Sequence, residues 1–143
     1  TVLRDYAHTP DALERALEAL RPITPRRLLV VFGAGGDRDR GKRAPMGEIV
    51  ARLADLAIVT SDNPRTEDPE RILNEVEAGM RGADTKPHLR EPDRRRAIAH
   101  ALSLAREGDT LLLAGKGHET YQVIGNVKHP FDERAIIREL GAT

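Results

Sequence analysis

The chain has 143 residues, a length that suits one domain able to bury roughly two thirds of its unfolded surface without a disulfide or metal staple. Its 23 basic residues are matched by 23 acidic ones, and it contains no cysteine. Zero net charge argues against a nucleic-acid-binding module, the lack of thiols excludes a disulfide scaffold and thiol catalysis, and no apolar run nears the roughly 18 residues of a membrane span.

The chain opens on Thr1-Val2-Leu3-Arg4-Asp5, already strand-like and without an initiator methionine, and reads as a domain cut from a longer protein. No signal-peptide pattern precedes it, and a cytoplasmic setting fits the composition. Residues 2–6 are expected to form a short strand. Thr9 is a good N-cap and Pro10 a good first helical residue, and Leu13, Ala16, Leu17 and Leu20 share one face of a helix over 10–20. Pro22 and Pro25 end it, and the apolar run over 27–32 predicts a buried strand. A glycine-rich, charged loop, 33–43, leads to a helix over 45–54 with Met46, Ile49, Val50 and Leu53 inward.

A second buried strand is expected at 56–60, followed by the loop Ser61-Asp62-Asn63-Pro64-Arg65-Thr66. Asp68 caps the next helix, Pro69 opens it, Ile72, Leu73, Val76 and Met80 form its apolar stripe, and Gly82 stops it. A short strand over 86–90 precedes a helix begun at Pro92-Asp93 and ended by Gly108. Residues 110–114 form the third strongly apolar strand, and Gly115-Lys116-Gly117-His118-Glu119 follow it. Gly125-Asn126 then turns a hairpin between 121–124 and 127–129, and Asp132 caps a last helix over 132–140. Strands alternating with helices predict an α/β, Rossmann-like domain: a mostly parallel sheet with helices on both faces and an antiparallel edge added by the C-terminal hairpin.

In a parallel sheet the loops 33–43, 61–66 and 115–120 open onto one rim, the side where such folds bind ligands. They gather Arg38, Lys42, Arg43, Asp62, Asn63, Arg65, Lys116, His118 and Glu119. That set suits a ligand with both a carboxylate and an amine, because arginine grips carboxylates through paired hydrogen bonds and glutamate accepts from ammonium. Taken singly the signals are duller. Asp62-Asn63-Pro64 also fits an ordinary turn, and the glycines at 115 and 117 a tight βα connection. Asp93-Arg94-Arg95-Arg96 reads as a solvated first helical turn. His118 lacks companion ligands, so no metal site is read. Gly36 to Lys42 matches most of a P-loop, but Arg43 stands where a hydroxyl would bind magnesium.

Four blocks carry a resemblance: Asp5-Tyr6-Ala7-His8-Thr9-Pro10-Asp11-Ala12, Phe32-Gly33-Ala34-Gly35-Gly36-Asp37-Arg38-Asp39, Asp62-Asn63-Pro64-Arg65 and Gly115-Lys116-Gly117-His118-Glu119. Together, in this order, they resemble the C-terminal domain of the Mur ligases, nearest the members that add a diamino acid in peptidoglycan synthesis. The resemblance implies an ATP-dependent amide-bond-forming enzyme that activates UDP-MurNAc-L-Ala-D-Glu as an acyl phosphate, which the incoming amine attacks. It implies that residues 1–143 are the amino-acid-binding domain. The UDP-binding domain and the central domain, with its P-loop, ATP and Mg2+, would lie outside this chain, leaving it inactive alone. Arg65 would grip the distal carboxylate of meso-diaminopimelate, with Asp62 and Asn63 beside it and Arg38 touching the same end. Gly115 and Glu119 would hold the other polar groups, and Asp5 and His8 would face nucleotide. The rival readings are a non-catalytic nucleotide or amino-acid binding module and a related ligase such as a folylpolyglutamate synthetase. The Asp-Asn-Pro-Arg block speaks against the latter.

Overall fold

A computed structural model describes residues 1–83 and 88–140. Within these, strands and helices alternate: β1 (Val2–Asp5), α1 (Pro10–Leu20), β2 (Leu28–Phe32), α2 (Arg43–Leu53), β3 (Leu56–Val59), α3 (Pro69–Ala83), β4 (His88–Arg90), α4 (Arg94–Leu104), β5 (Thr110–Ala114), β6 (Tyr121–Ile124), β7 (Val127–Pro130) and α5 (Glu133–Glu139). The first five strands make one sheet in the order β1-β5-β2-β3-β4, every neighbouring pair parallel. β2 and β5 are buried along their whole length, which is why they read as unbroken apolar runs.

The topology follows from right-handed crossovers. β1 to β2, β2 to β3 and β3 to β4 all step the same way across the sheet, so α1, α2 and α3 lie on one face. β4 to β5 steps back, so α4 lies on the other face, with α5 beside it. Alternate residues of β2 serve the two cores: Leu28, Val30 and Phe32 pack toward α1–α3, and Leu29 and Val31 toward α4 and α5. α1 contributes Leu13 and Leu17, both fully buried and each worth roughly 1.5–3 kcal/mol of burial. Thr9 caps α1, its hydroxyl accepting from the Ala12 N–H at 3.2 Å, with Pro10 in the first turn.

Two local expectations need correction, and a third is met as far as the described residues reach. α2 begins at Arg43, before Pro45, because a 3-10 turn over Arg40–Lys42, capped by Asp39, runs directly into it. β4 is seen only at His88–Arg90; residues 86 and 87 lie outside the described residues. The hairpin does not extend the main sheet: β6 and β7 form a separate two-stranded sheet. The reason is topological. β5 has β1 on one edge and β2 on the other, so β6 cannot pair with the strand that it follows. β6 therefore settles over the C-terminal rim, where it bridges to Arg65. Among the described residues no helix is long and apolar enough to cross a membrane.

Candidate functional site

The loops after β1, β2, β3 and β5 meet at the C-terminal rim around a cleft of about 450 Å3. Arg38, Asp62, Asn63, Arg65, Gly115, Glu119 and His8 all line it. Asp5 does not; it ends β1, and its carboxylate accepts from the Ala7 N–H at 3.0 Å. A larger groove, about 680 Å3, lies between α4, α5 and the hairpin; Pro64, Pro92, Pro130 and Phe131 are among its walls, with Arg95, His129 and Glu139, and of the sequence-predicted site residues none lines it.

The cleft has a cationic side and an anionic side. Gly35 sits against both arginines: a methyl group there would lie 3.0 Å from Arg65 Nη1 and 3.5 Å from the Arg38 Cγ. Arg65 Nη1 donates to the Gly36 carbonyl at 2.9 Å, and Gly36 N–H donates to the Asn63 carbonyl at 2.8 Å, so the first and second rim loops are laced together. Gly36 permits this approach, since a Cβ would fall 1.8 Å from the Pro64 oxygen. Gly115, at φ +116, turns the chain under the Asp62 carboxyl, whose carbon would lie 3.6 Å from an added Cβ. Glu119 stands beside Tyr6, and its negative charge is the first cause that raises the Tyr6 phenol above its ordinary pKa, with burial second.

Arg65 adopts φ +54, a left-handed conformation that costs a β-carbon-bearing residue energy and survives only where its surroundings hold it. Its backbone is held on both sides by the hairpin: Arg65 N–H donates to the Val123 carbonyl at 3.0 Å, and Gly125 N–H donates to the Arg65 carbonyl. Asp37, also left-handed, accepts from the Thr66 hydroxyl at 2.6 Å and the Thr66 N–H at 3.1 Å. Glu67 in turn accepts from Arg43 through both oxygens, at 2.6 and 2.7 Å. That bond, ahead of an opposing effect of burial, holds the Glu67 carboxyl down to about 2.

Several residues expected at the rim do not face the cleft or offer it less than expected. Arg43 is buried and committed to Glu67, so it is not an exposed anion grip. Lys116 is fully buried, its ammonium 3.2 Å from Asp62 Oδ1 and donating to Asn63 Oδ1 at 3.0 Å and the Tyr121 carbonyl at 3.1 Å. Burial pushes its pKa below the ordinary lysine value; the Asp62 charge opposes this, and Arg94 adds to it. Asn63 Oδ1 also accepts from the Val123 N–H at 2.9 Å, which fills both lone pairs and leaves only the amide nitrogen for a ligand. His118 is exposed and is not part of the cleft wall.

The largest departure is Arg94. Its expected solvated turn places Arg95 and Arg96 in water, but buries the Arg94 side chain completely. It donates to Glu133 Oε2 at 2.8 Å, to the Ser61 carbonyl at 3.2 Å and to the Ala114 carbonyl at 2.9 Å. One guanidinium thus braces the exits of β3 and β5 from beneath the cleft. Nothing in the local pattern of Arg94-Arg95-Arg96 distinguishes its first member, because its partner Glu133 comes from α5.

A protein-family model described as "Mur ligase, glutamate ligase domain" matches residues 1–117. The chain belongs to the Mur ligase family. Among curated Mur ligases it is 61% identical over 132 residues to the UDP-N-acetylmuramoyl-L-alanyl-D-glutamate--2,6-diaminopimelate ligase of Chlorobaculum tepidum, covering 91% of this chain and 25% of that protein. It is 54% identical over 138 residues to the enzyme of the same name from Geobacillus kaustophilus, covering 96% of this chain and 28% of that one. The chain thus spans about a quarter of the length of these relatives. A solved diaminopimelate ligase of this kind superimposes with a TM-score of 0.91 at 45% identity, over 97% of this chain and 28% of its own. The Escherichia coli FolC structure, with ADP and without folate, has a TM-score of 0.58 at 22% identity, over 80% of this chain and 25% of its own, and shares the fold.

Proposed function

We propose that this chain is the C-terminal, amino-acid-binding domain of a cytoplasmic, ATP-dependent ligase that joins meso-diaminopimelate to UDP-MurNAc-L-Ala-D-Glu in peptidoglycan synthesis. The observation that carries the reading is the polarity of the cleft: Arg38 and Arg65 meet around Gly35, while Asp62 and Glu119 stand with Gly115 and Tyr6. A zwitterionic diamino acid with two carboxylates matches such a charge pattern end to end. Arg65 takes the distal carboxylate with Arg38 beside it, Asn63 donates through its amide nitrogen, and Asp62 and Glu119 accept from ammonium. Holding the ligand at both ends presents its reacting amine at the rim in one orientation, which is the contribution positioning makes to such a reaction.

ATP, when bound, supplies the phosphoryl group that activates the acceptor carboxylate. In this chain His8 and Tyr6, an edge-to-face pair with ring centres 4.6 Å apart, fit a surface contact to nucleotide at the open lip of the cleft. The resemblance to the Mur ligases assigns the nucleotide's Mg2+ and phosphates to the central domain of the same ligase.

The test uses the complete ligase that carries this chain, assayed with meso-diaminopimelate, lysine and ornithine. Meso-diaminopimelate should be used far better than lysine, which brings no distal carboxylate to Arg65. Arg65→Ala should lower kcat/KM for meso-diaminopimelate by about 3–5 kcal/mol, roughly 10²- to 10⁴-fold, while lysine use changes little. Equal use of lysine and diaminopimelate by the parent enzyme, or unchanged kinetics in Arg65→Ala, would refute the carboxylate grip.

A further inference from the structure

The residues that touch the cleft do not by themselves explain how Arg65 keeps a left-handed backbone. Its own backbone bonds run to Val123 and Gly125 of the hairpin, while the β5 loop ties down Asp62 and Asn63 just before it. Lys116 and Gln122 line no part of the cleft. Yet Lys116 Nζ reaches Asn63 Oδ1 at 3.0 Å and Asp62 Oδ1 at 3.2 Å, and the Gln122 amide nitrogen donates to the Asp62 carbonyl at 2.8 Å. Val123 then donates to Asn63 Oδ1 and accepts from Arg65 N–H. Residues 62, 63 and 65 are each tied to Lys116 or β6, and Asp62, Asn63, Lys116 and Gln122 are buried, so their ties cannot be exchanged for water without cost.

We infer that Lys116 and Gln122 are positioning residues that set selectivity for the distal carboxylate, by holding the Asp62–Arg65 loop against the hairpin so that Arg65 is aimed into the cleft. This rests on the proposed diamino-acid function. It differs from a merely structural role in what changes. A structural loss lowers thermal stability and the active fraction, but leaves the KM for the diamino acid and the choice between diamino acids as they were. A loosened clamp misplaces one recognition group relative to the other, and displacements near 1 Å cost up to roughly a hundredfold.

The experiment uses the complete ligase. In Lys116→Met the KM for meso-diaminopimelate should rise about ten- to a hundredfold and the preference over lysine should fall in parallel, with KM for ATP and for the UDP-muropeptide changed less than about twofold. Gln122→Met keeps the volume, leaves no buried charge unpaired, and should move the same two quantities about three- to tenfold. In the parent enzyme, amide hydrogen exchange should slow together at 62–66 and 121–125 when meso-diaminopimelate binds. Folded variants with parental KM and parental selectivity overturn the inference. So does ligand protection confined to 115–119, a result readable even if Lys116→Met does not fold. If the parent ligase adds meso-diaminopimelate in an Arg65-dependent way while these results fail, only the clamp is wrong. If it adds no diamino acid, the functional reading falls and the clamp with it.

Discussion

Replacing Arg94 by methionine tests the buried brace beneath the cleft. The substitution keeps an unbranched side chain but removes three donated hydrogen bonds, to Glu133 Oε2, the Ser61 carbonyl and the Ala114 carbonyl. Arg94 and Glu133 are both fully buried, and among the described residues Glu133 Oε1 has no hydrogen-bond partner, so Arg94→Met strands a carboxylate in the core. Breaking such a pair from one side costs about 3–5 kcal/mol. For a chain of this size that is a fall in Tm of about 10 °C or more. Glu133→Met strands the guanidinium instead and should cost a similar about 3–5 kcal/mol. The double variant leaves no lone charge, only two carbonyls short of a donor, and should cost about 1–3 kcal/mol. The sum of the singles then exceeds the double by at least about 3 kcal/mol, a coupling that urea unfolding of the four proteins resolves. Refutation would be additivity within about 0.5 kcal/mol, or a single Arg94→Met cost below about 1 kcal/mol, since either result means that water solvates the pair.

Two further outcomes concern stability. Glu67 and Asp109 both have carboxyls held down to about 2, against ordinary values of 4.5 and 3.8. For Glu67 the first cause is the Arg43 hydrogen bonds; for Asp109 burial pushes the other way and is overridden by donors from Arg27 and the Arg106 N–H. A depressed folded value contributes stability above the unfolded value and loses it as pH falls, so stability should drop between about pH 4.5 and pH 2, by an amount on the order of 3 kcal/mol after solvent screening at Glu67. A urea midpoint that is flat across that range would contradict this. Separately, Gly79→Ala should destabilise by about 1–3 kcal/mol, because α3 crosses α2 so closely that the added methyl group would lie 1.9 Å from the Ala44 carbonyl oxygen. A Tm within about 2 °C of the parent would mean that the helices separate at little cost.

How much was legible in the sequence differs between the elements and the site. The apolar runs of β2, β3 and β5 and the stripes of α1 and α3 are local, periodic signals, and the structure forms each within a residue or two of its expected bounds. From alternation alone came the parallel sheet, and from that the rim where the loops meet. The rim loops then bring Arg38, Asp62, Asn63, Arg65, Gly115, Glu119 and His8 to one cleft, with Asp5 outside it. Their chemical roles rest on the functional proposal.

What tertiary structure alone decided is which charges leave water. Arg43, Arg94 and Lys116 look in sequence like Arg38 and Lys42, yet the first three are buried and the last two exposed. No local pattern separates them, because a buried cation is set by its partner, and the partners are distant: Arg94 pairs with Glu133 39 residues away, and Lys116 bonds to Asn63 53 residues away. The hairpin's place followed the same logic, since both edges of β5 are filled and β6 bridges instead to Arg65, from another loop. Periodicity reports which face of an element is dry; it carries no record of which remote carboxylate or carbonyl will meet a given cation there.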